Sequence, residues 1–208
     1  MSRFGPEPQA FFDDVYRAVP PWDVGGAQPA LQSLIAEYPP IGPVLDVGCG
    51  SGDLAIALAH EGLSVVGVDF VESAVSEAQA KTKTQPPAVR ERLDFRLGDA
   101  LRPSQVAGAF QSVTDSGFLH LFDADDRARF VGELAATLPA GGRYYLLAFA
   151  VTFPVPNTPL AVTEDDVGSM FSRETGWIVR TCRPAEFQNR VAPPVPATCA
   201  CVERLTAV

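Results

Sequence analysis

Residues 44–60 read Val-Leu-Asp-Val-Gly-Cys-Gly-Ser-Gly-Asp-Leu-Ala-Ile-Ala-Leu-Ala-His, and no other stretch constrains the fold as strongly. The apolar run at 44–47 is short, rich in valine and followed at once by glycine, which predicts a buried strand. Glycines at 48, 50 and 52 allow backbone angles closed to other residues and let a ligand approach the main chain. An apolar helix over about 51–60, then Gly62 and a second apolar strand over 64–68, complete the unit. Two neighbouring strands joined through a helix run parallel, and a parallel sheet has to be covered on both faces.

The alternation continues down the chain. A helix is expected over 71–83, strands near 93–97 and 110–115, a helix over 123–138 and a buried strand over 142–151. Asp123 is the expected N-cap of the longest helix, with Asp125 and Asp126 in its first turn and Gly141 and Gly142 beyond its end. Ahead of the glycine unit, Phe11, Phe12, Val15 and Val19 recur at helical spacing until Pro20 and Pro21, and a second helix over 28–38 stops at Pro39. Behind it, Pro154, Pro156 and Pro159 mark a loop, Thr163-Glu164-Asp165-Asp166 resembles a capping box opening a helix over 163–173, and strands over 177–183 and 198–205 follow. The fold class this predicts is α/β: a doubly wound, Rossmann-like, seven-stranded and mainly parallel sheet in one domain, with helices on both faces. Nineteen prolines would break such a fold if they fell inside its elements, yet none lies between Val44 and Gln85 and the others fall mostly at expected element ends.

Charge narrows the partners. The net charge of −9 disfavours any partner gripped through phosphates, so neither nucleic acid nor an anionic membrane is expected. No apolar stretch approaches the roughly 20 residues that span a bilayer, and a cytoplasmic protein, monomeric or homodimeric, is expected. The four cysteines contain no C-x-x-C pair and lack the histidine company of a zinc site, so reduced thiols and no metal are expected, with Cys199 and Cys201 on one face of a strand.

The glycine spacing bears on the ligand. A dinucleotide fingerprint places its third glycine three residues after the second, whereas Gly52 comes two after Gly50. A pyrophosphate here would also face Asp46 and Asp53 with no lysine or arginine close in sequence, so a cationic or zwitterionic ligand fits better. Asp46, Asp69, Asp99 and Asp115 stand at or just beyond the carboxyl ends of the first four expected strands, where doubly wound sheets bind ligands. Asp69 lies about 20 residues after the glycine loop, the place of an acid that accepts from ribose hydroxyls.

From these residues the chain resembles the class I S-adenosylmethionine-dependent methyltransferases over about 44–151. The resemblance implies S-adenosylmethionine as cofactor and a role for each matching position. The backbone of Gly48, Cys49, Gly50 and Gly52 would lie along the methionine part and ribose, Asp46 near the amino group, and Asp69 at the ribose hydroxyls with Phe70 and Val71 beside the adenine. Gly98-Asp99-Ala100 looks like the motif at the adenine edge, and Asp115-Ser116 like the fourth-strand motif that faces the methyl group and the acceptor. Pro21-Trp22-Asp23-Val24-Gly25 resembles the segment that folds over the cofactor in small methyltransferases related to thiopurine S-methyltransferases and to bacterial enzymes of phenols and heteroaromatics, which makes Trp22 a cofactor contact. Residues 1–42 would then form a helical lid, 43–151 the cofactor-binding core and 152–208 the substrate side.

Methyl transfer from a sulfonium is an in-line displacement, so most of the work is holding the acceptor in place. A small aromatic or heteroaromatic acceptor, methylated on oxygen in preference to sulfur or nitrogen, is the expected substrate, and Phe11, Phe12, Tyr16, Phe118, Phe149 and Phe153 are its expected aromatic wall. Of the two histidines, His60 ends a helix at the surface, whereas His120 follows the fourth strand and is, with Asp115, the candidate to act as base or to position the acceptor. Thr114-Asp115-Ser116-Gly117-Phe118 lacks the run by which base-methylating enzymes act on exocyclic amines. The competing readings are a cofactor-binding protein without catalysis, a nicotinamide-dependent oxidoreductase and a methyltransferase of a basic protein.

Overall fold

The computed structural model describes residue 4 and residues 8–206. Helices α1 (Pro8–Val15) and α2 (Pro29–Glu37) lead into strand β1 (Val44–Val47), helix α3 (Asp53–His60), strand β2 (Val65–Asp69), helix α4 (Glu72–Lys83), the short helix α5 (Pro87–Arg90) and strand β3 (Leu93–Leu97). Strand β4 (Ser112–Ser116), helix α6 (Ala124–Thr137), strand β5 (Arg143–Phe149), helix α7 (Glu164–Met170) and the hairpin of β6 (Trp177–Phe187) and β7 (Val195–Arg204) follow. The seven strands form one sheet in the order β3-β2-β1-β4-β5-β7-β6, the first five parallel and β7 antiparallel to both neighbours. The chain winds outward in one direction from β1 and in the other from β4, so a crevice opens beyond the carboxyl ends of these two strands.

Successive strand residues point to opposite faces, and the sheet sorts its apolar residues accordingly. Val44, Val65, Tyr145, Leu147, Cys199 and Cys201 pack with α2 and α3 on one face. Leu45, Val47, Val113, Tyr144 and Leu146 pack on the other with Phe130 and Leu134 of α6 and Val167 of α7. The two caps read from sequence are formed: the Asp123 carboxylate accepts from the Asp126 amide (3.0 Å), and Thr163 and Asp166 make a reciprocal capping box. Among the described residues no helix is long and apolar enough to cross a membrane.

Four elements differ most from expectation. Helix α1 ends at Val15, four residues short of Val19, because the amides of Arg17 and Ala18 bond to carbonyls three residues back and tighten the chain into turns. Helix α5 starts on Pro87, where the missing amide costs nothing at a first helical position, so Pro86-Pro87 opens a turn of helix as well as closing α4. The last two strands are longer than expected and take Pro184 and Pro196 inside them. β6 is the edge of the sheet, where a proline leaves no ladder bond unmade on the open side, and Pro196 stands one residue inside the start of β7.

Candidate active site

The glycine loop is the floor of the site. Gly48 and Gly50 hold φ of 62° and 52°, and a Cβ on either would collide with a neighbour, at 2.6 Å from the Phe118 ring and 2.6 Å from the Tyr16 hydroxyl respectively. Aromatic side chains therefore press against bare backbone. Asp69 ties the loop to the next strand, one oxygen accepting from the Gly50 amide (2.9 Å) and the other from the Val71 amide (2.9 Å). Burial raises its pKa above the usual carboxylate value, and these amides oppose the rise.

A cavity of about 460 Å³ opens above this floor. Asp46, Gly48, Cys49, Gly50, Asp69, Phe70, Val71 and Ser116 line the cavity around this floor. Phe11, Phe12, Tyr16 and Trp22 reach in from the N-terminal segment, and Phe118, His120, Phe149 and Phe153 from the loops after β4 and β5. Phe4, Asp23, Asp53 and Phe187 also line it. Phe4 belongs to an aromatic cluster with Phe11 and Phe12 (5.3 and 5.0 Å between ring centres) and Phe187 sits on the final hairpin, so neither carried a local sequence signal. The charged side chains among the described lining residues are all aspartates.

Asp46 is the most buried of the aspartates that line the cavity. It shares a face with Thr114 of β4, its register partner, whose hydroxyl donates to one carboxylate oxygen (2.8 Å). The other oxygen is buried with no hydrogen bond, the nearby Ala55 amide falling short of one. Burial pushes the carboxyl up to about 7, with Asp115 and Asp69 adding to the rise and Thr114 and Ala55 opposing it. A buried, half-satisfied carboxylate is costly by itself and favourable beside a cationic ligand.

The structure places several of the expected site residues away from the cavity lining. Asp115 does not line the cavity. It pairs in register with Val47, one residue on from the Asp46–Thr114 pair, so its side chain points to the opposite face. There it accepts from the amides of Phe118 (2.7 Å) and Leu119 (2.9 Å) and from the Tyr144 hydroxyl (2.6 Å), and burial raises it to about 6 against these bonds. Gly98, Asp99 and Ala100 also lie outside the lining. The chain turns away at once after β3: Asp99 accepts from the Leu101 amide (3.0 Å), pairs with Arg102 (3.5 Å) and is 59% exposed at its side chain, while Ala100 is buried in the core behind the sheet. Gly52 is a loop-shaping residue, not a cavity contact: it caps α3 at φ 84° and a Cβ there would meet Phe95 at 2.6 Å.

His120 lines the cavity, and its hydrogen bonding bears directly on the base reading. Its Nδ1 accepts from the Phe149 amide (3.0 Å), and burial, reinforced by the Arg127 guanidinium, lowers its pKa to about 3. An amide can only donate, so Nδ1 is bare and the proton of the neutral ring sits on Nε2. His60 stands exposed at the end of α3 as expected, bonded to Gln85 (2.9 Å).

Sequence reasoning missed one cation. Lys81 on α4 donates to Asp53 (2.9 Å) and Ser51 (2.9 Å), and the Ser51 hydroxyl in turn donates to Asp23 (3.0 Å). Asp53 is thus neutralised by a lysine 28 residues away, and that part of the case against a pyrophosphate falls. The network also fastens the N-terminal segment to the glycine loop. Gln28 fastens it on the other side, donating to the Trp22 and Gln188 carbonyls and accepting from the Gln188 amide (2.7 Å). Replacing Lys81 with methionine is expected to weaken cofactor binding about 2- to 5-fold, as for a partly exposed charge network, and to speed proteolysis near Trp22; calorimetry and timed digestion read the two effects.

Residues 44–142 match the methyltransferase domain family. An uncharacterised methyltransferase of Schizosaccharomyces pombe is 31% identical over 109 residues, 52% of this chain and 72% of its own length. The chain is a class I S-adenosylmethionine-dependent methyltransferase. The 2-heptyl-1-hydroxyquinolin-4(1H)-one methyltransferase of Mycobacteroides abscessus is 27% identical over 189 residues, 86% of this methyltransferase and 81% of that one. A solved structure described as the conversion of a disulfide bond into a thioacetal group during echinomycin biosynthesis superposes with a TM-score of 0.79 at 26% identity, covering 95% of this chain and 92% of the other. The unpartnered Asp46 oxygen and bare glycine backbone of this methyltransferase fit S-adenosylmethionine, a ligand with an ammonium group and a sulfonium.

Proposed function

We propose that this methyltransferase methylates an oxygen of a small, flat aromatic or heteroaromatic compound. The observation that carries the reading is the aromatic wall: Phe11, Phe12, Tyr16, Phe118, Phe149 and Phe153 line one cavity with the glycine loop, and no lysine or arginine is present among the described lining residues to hold a carboxylate or phosphate. The relative named for a hydroxyquinolinone supports it.

When bound, S-adenosylmethionine supplies an electrophilic methyl group. Asp46 would hold its ammonium, the backbone from Gly48 to Gly50 its chain and ribose, Asp69 its ribose hydroxyls through the lone pairs its two amide bonds leave free, and Phe70 and Val71 its adenine. Trp22, on the segment clasped by Gln28 and Lys81, would cover it, so residues 1–42 act as the lid, 43–151 as the cofactor core and 152–208 as the substrate side. The aromatic side chains would orient the acceptor and strip water from its nucleophile, and this positioning is the larger part of catalysis.

Calorimetry with S-adenosylmethionine tests the cofactor contacts. Wild type is expected to bind and Asp69→Ala to lose affinity by more than roughly 10-fold, while unchanged affinity in the variant would sink the Asp69 assignment. A screen of phenols, hydroxyquinolines and thiols by mass spectrometry tests the acceptor. Methylation confined to thiols or amines would displace oxygen as the target, and silence across the phenols and hydroxyquinolines would remove the aromatic reading.

A further inference from the structure

We propose that His120 reads the acceptor as a hydrogen-bond donor through Nε2–H, and so selects rings that present a lone-pair oxygen, an oxyanion or a ring carbonyl, at that point. The inference rests on the proposed aromatic acceptor and adds what the site demands of its chemistry.

The ring's protonation is fixed by geometry. The Phe149 amide occupies Nδ1 at 3.0 Å, and among the described residues no hydrogen bond is made at Nε2. The ring itself is held on several sides: Phe149 and Phe187 lie at 4.4 and 6.1 Å between centres, and a Cβ on Gly117 would come within 3.3 Å of its Cε1. The backbone beneath is fixed as well. The Asp115 carboxylate grips the two amides before His120, the His120 carbonyl accepts from the Leu160 amide (2.7 Å), and Arg127 donates to the Leu119, Leu160 and Ala161 carbonyls. Arg127 from α6 adds to burial in lowering the ring's pKa, so the ring stays neutral.

A donor held this way has a definite preference. A phenol whose hydroxyl proton pointed at Nε2–H would set two donors against each other in a dry cavity, whereas an oxyanion or carbonyl accepts and gains a charge-assisted or neutral bond. The acceptor's proton therefore leaves to solvent before transfer, and the oxygen lone pair forms the new O–C bond as the C–S bond breaks, its electron pair remaining on sulfur. No protein base is needed, and acceptors with acidic hydroxyls, or with a carbonyl conjugated to the attacking oxygen, are the preferred class.

The first test is NMR of the protein labelled with nitrogen-15 histidine, with His60→Gln giving the assignment. His120 is expected to remain the neutral Nε2–H tautomer from about pH 5 to pH 8, and to shift its Nε2 signal when 1-hydroxyquinolin-4(1H)-one, the head group of the relative's substrate, is added with S-adenosylhomocysteine. Titration of His120 near neutrality, a proton on Nδ1, or no shift with bound probe would overturn the proposal. The second test is kinetic. His120→Gln, which keeps a donor, is expected to stay within a few-fold of wild type, and His120→Phe to lose roughly 10- to 100-fold in kcat/KM with unchanged cofactor affinity. Across substituted phenols the pH profile should move with each phenol's own pKa in both wild type and His120→Gln. A fixed limb that vanishes in His120→Gln would mark a base and refute the donor. Silence of wild type with every aromatic acceptor would refute the aromatic reading itself, and the free protein's tautomer is measured independently of it.

Discussion

Asp115→Ala is expected to destabilise the protein more than any other single change near the site. The carboxylate satisfies three buried donors at once, the amides of Phe118 and Leu119 and the Tyr144 hydroxyl. Alanine leaves all three unpaired where no water replaces the bond, at about 1–3 kcal/mol each, so a loss of roughly 3–6 kcal/mol is expected after partial relaxation. In a protein of this length that lowers Tm by about 10–20 °C, readable by calorimetric or circular-dichroism melting. Tyr144→Phe removes one partner and should cost a fraction of this, and the double variant should lose less than the two single losses combined because the pair is in contact. At low temperature the folded Asp115→Ala protein is expected to bind S-adenosylmethionine within a few-fold of wild type. A variant that melts like wild type yet turns nothing over would return Asp115 to the catalytic role its sequence position suggested.

That contrast marks where the sequence could be read and where it could not. The strand, glycine loop and helix at 44–60 were legible because every step is local: β-branched residues, positive-φ glycines and an apolar helical period succeed one another within a few residues. Asp69 was legible for the same reason, its distance from the loop being set by one helix and one strand. Asp115 and Asp99 were expected on the ligand rim and lie away from the cavity lining, because standing at a strand's end does not say which face a side chain takes. One residue of register puts Asp115 behind the sheet with Val47, and the turn after β3 carries Asp99 into solvent. Lys81, Gln28 and Phe187 could not be found, since their partners lie 28, 160 and about 70 residues away and only the packed fold brings them together. His120 was found by its place on the rim, but whether it accepts or donates depends on a backbone amide 29 residues on.

Asp46→Asn is expected to make the protein more stable and worse at binding its cofactor, and both effects should depend on pH. In the free protein the carboxyl sits at about 7, far above the usual 3.8, because burial outweighs the Thr114 bond. A group whose pKa is raised by folding contributes stability fully below its unfolded value and loses it as pH rises through the folded value. The wild-type protein should therefore lose up to roughly 4 kcal/mol from this group between about pH 4 and pH 8, with the buried Asp115 and Asp69 sloping the same way, and the asparagine variant should lose correspondingly less. Binding runs in the opposite sense. An ammonium beside Asp46 favours the carboxylate, so S-adenosylmethionine should bind with release of a proton below about pH 7 and weaken by at most about tenfold for each further pH unit. Calorimetry in buffers of different ionisation enthalpy counts that proton. In Asp46→Asn the proton release should vanish and affinity should fall roughly 10- to 100-fold at pH 8, the loss of a charge-assisted bond. A merely structural carboxylate would lower stability and binding together, and a remote one would move neither. Gain in one with loss in the other is the signature of a charge kept buried for its ligand, at a standing cost to the fold that bears it.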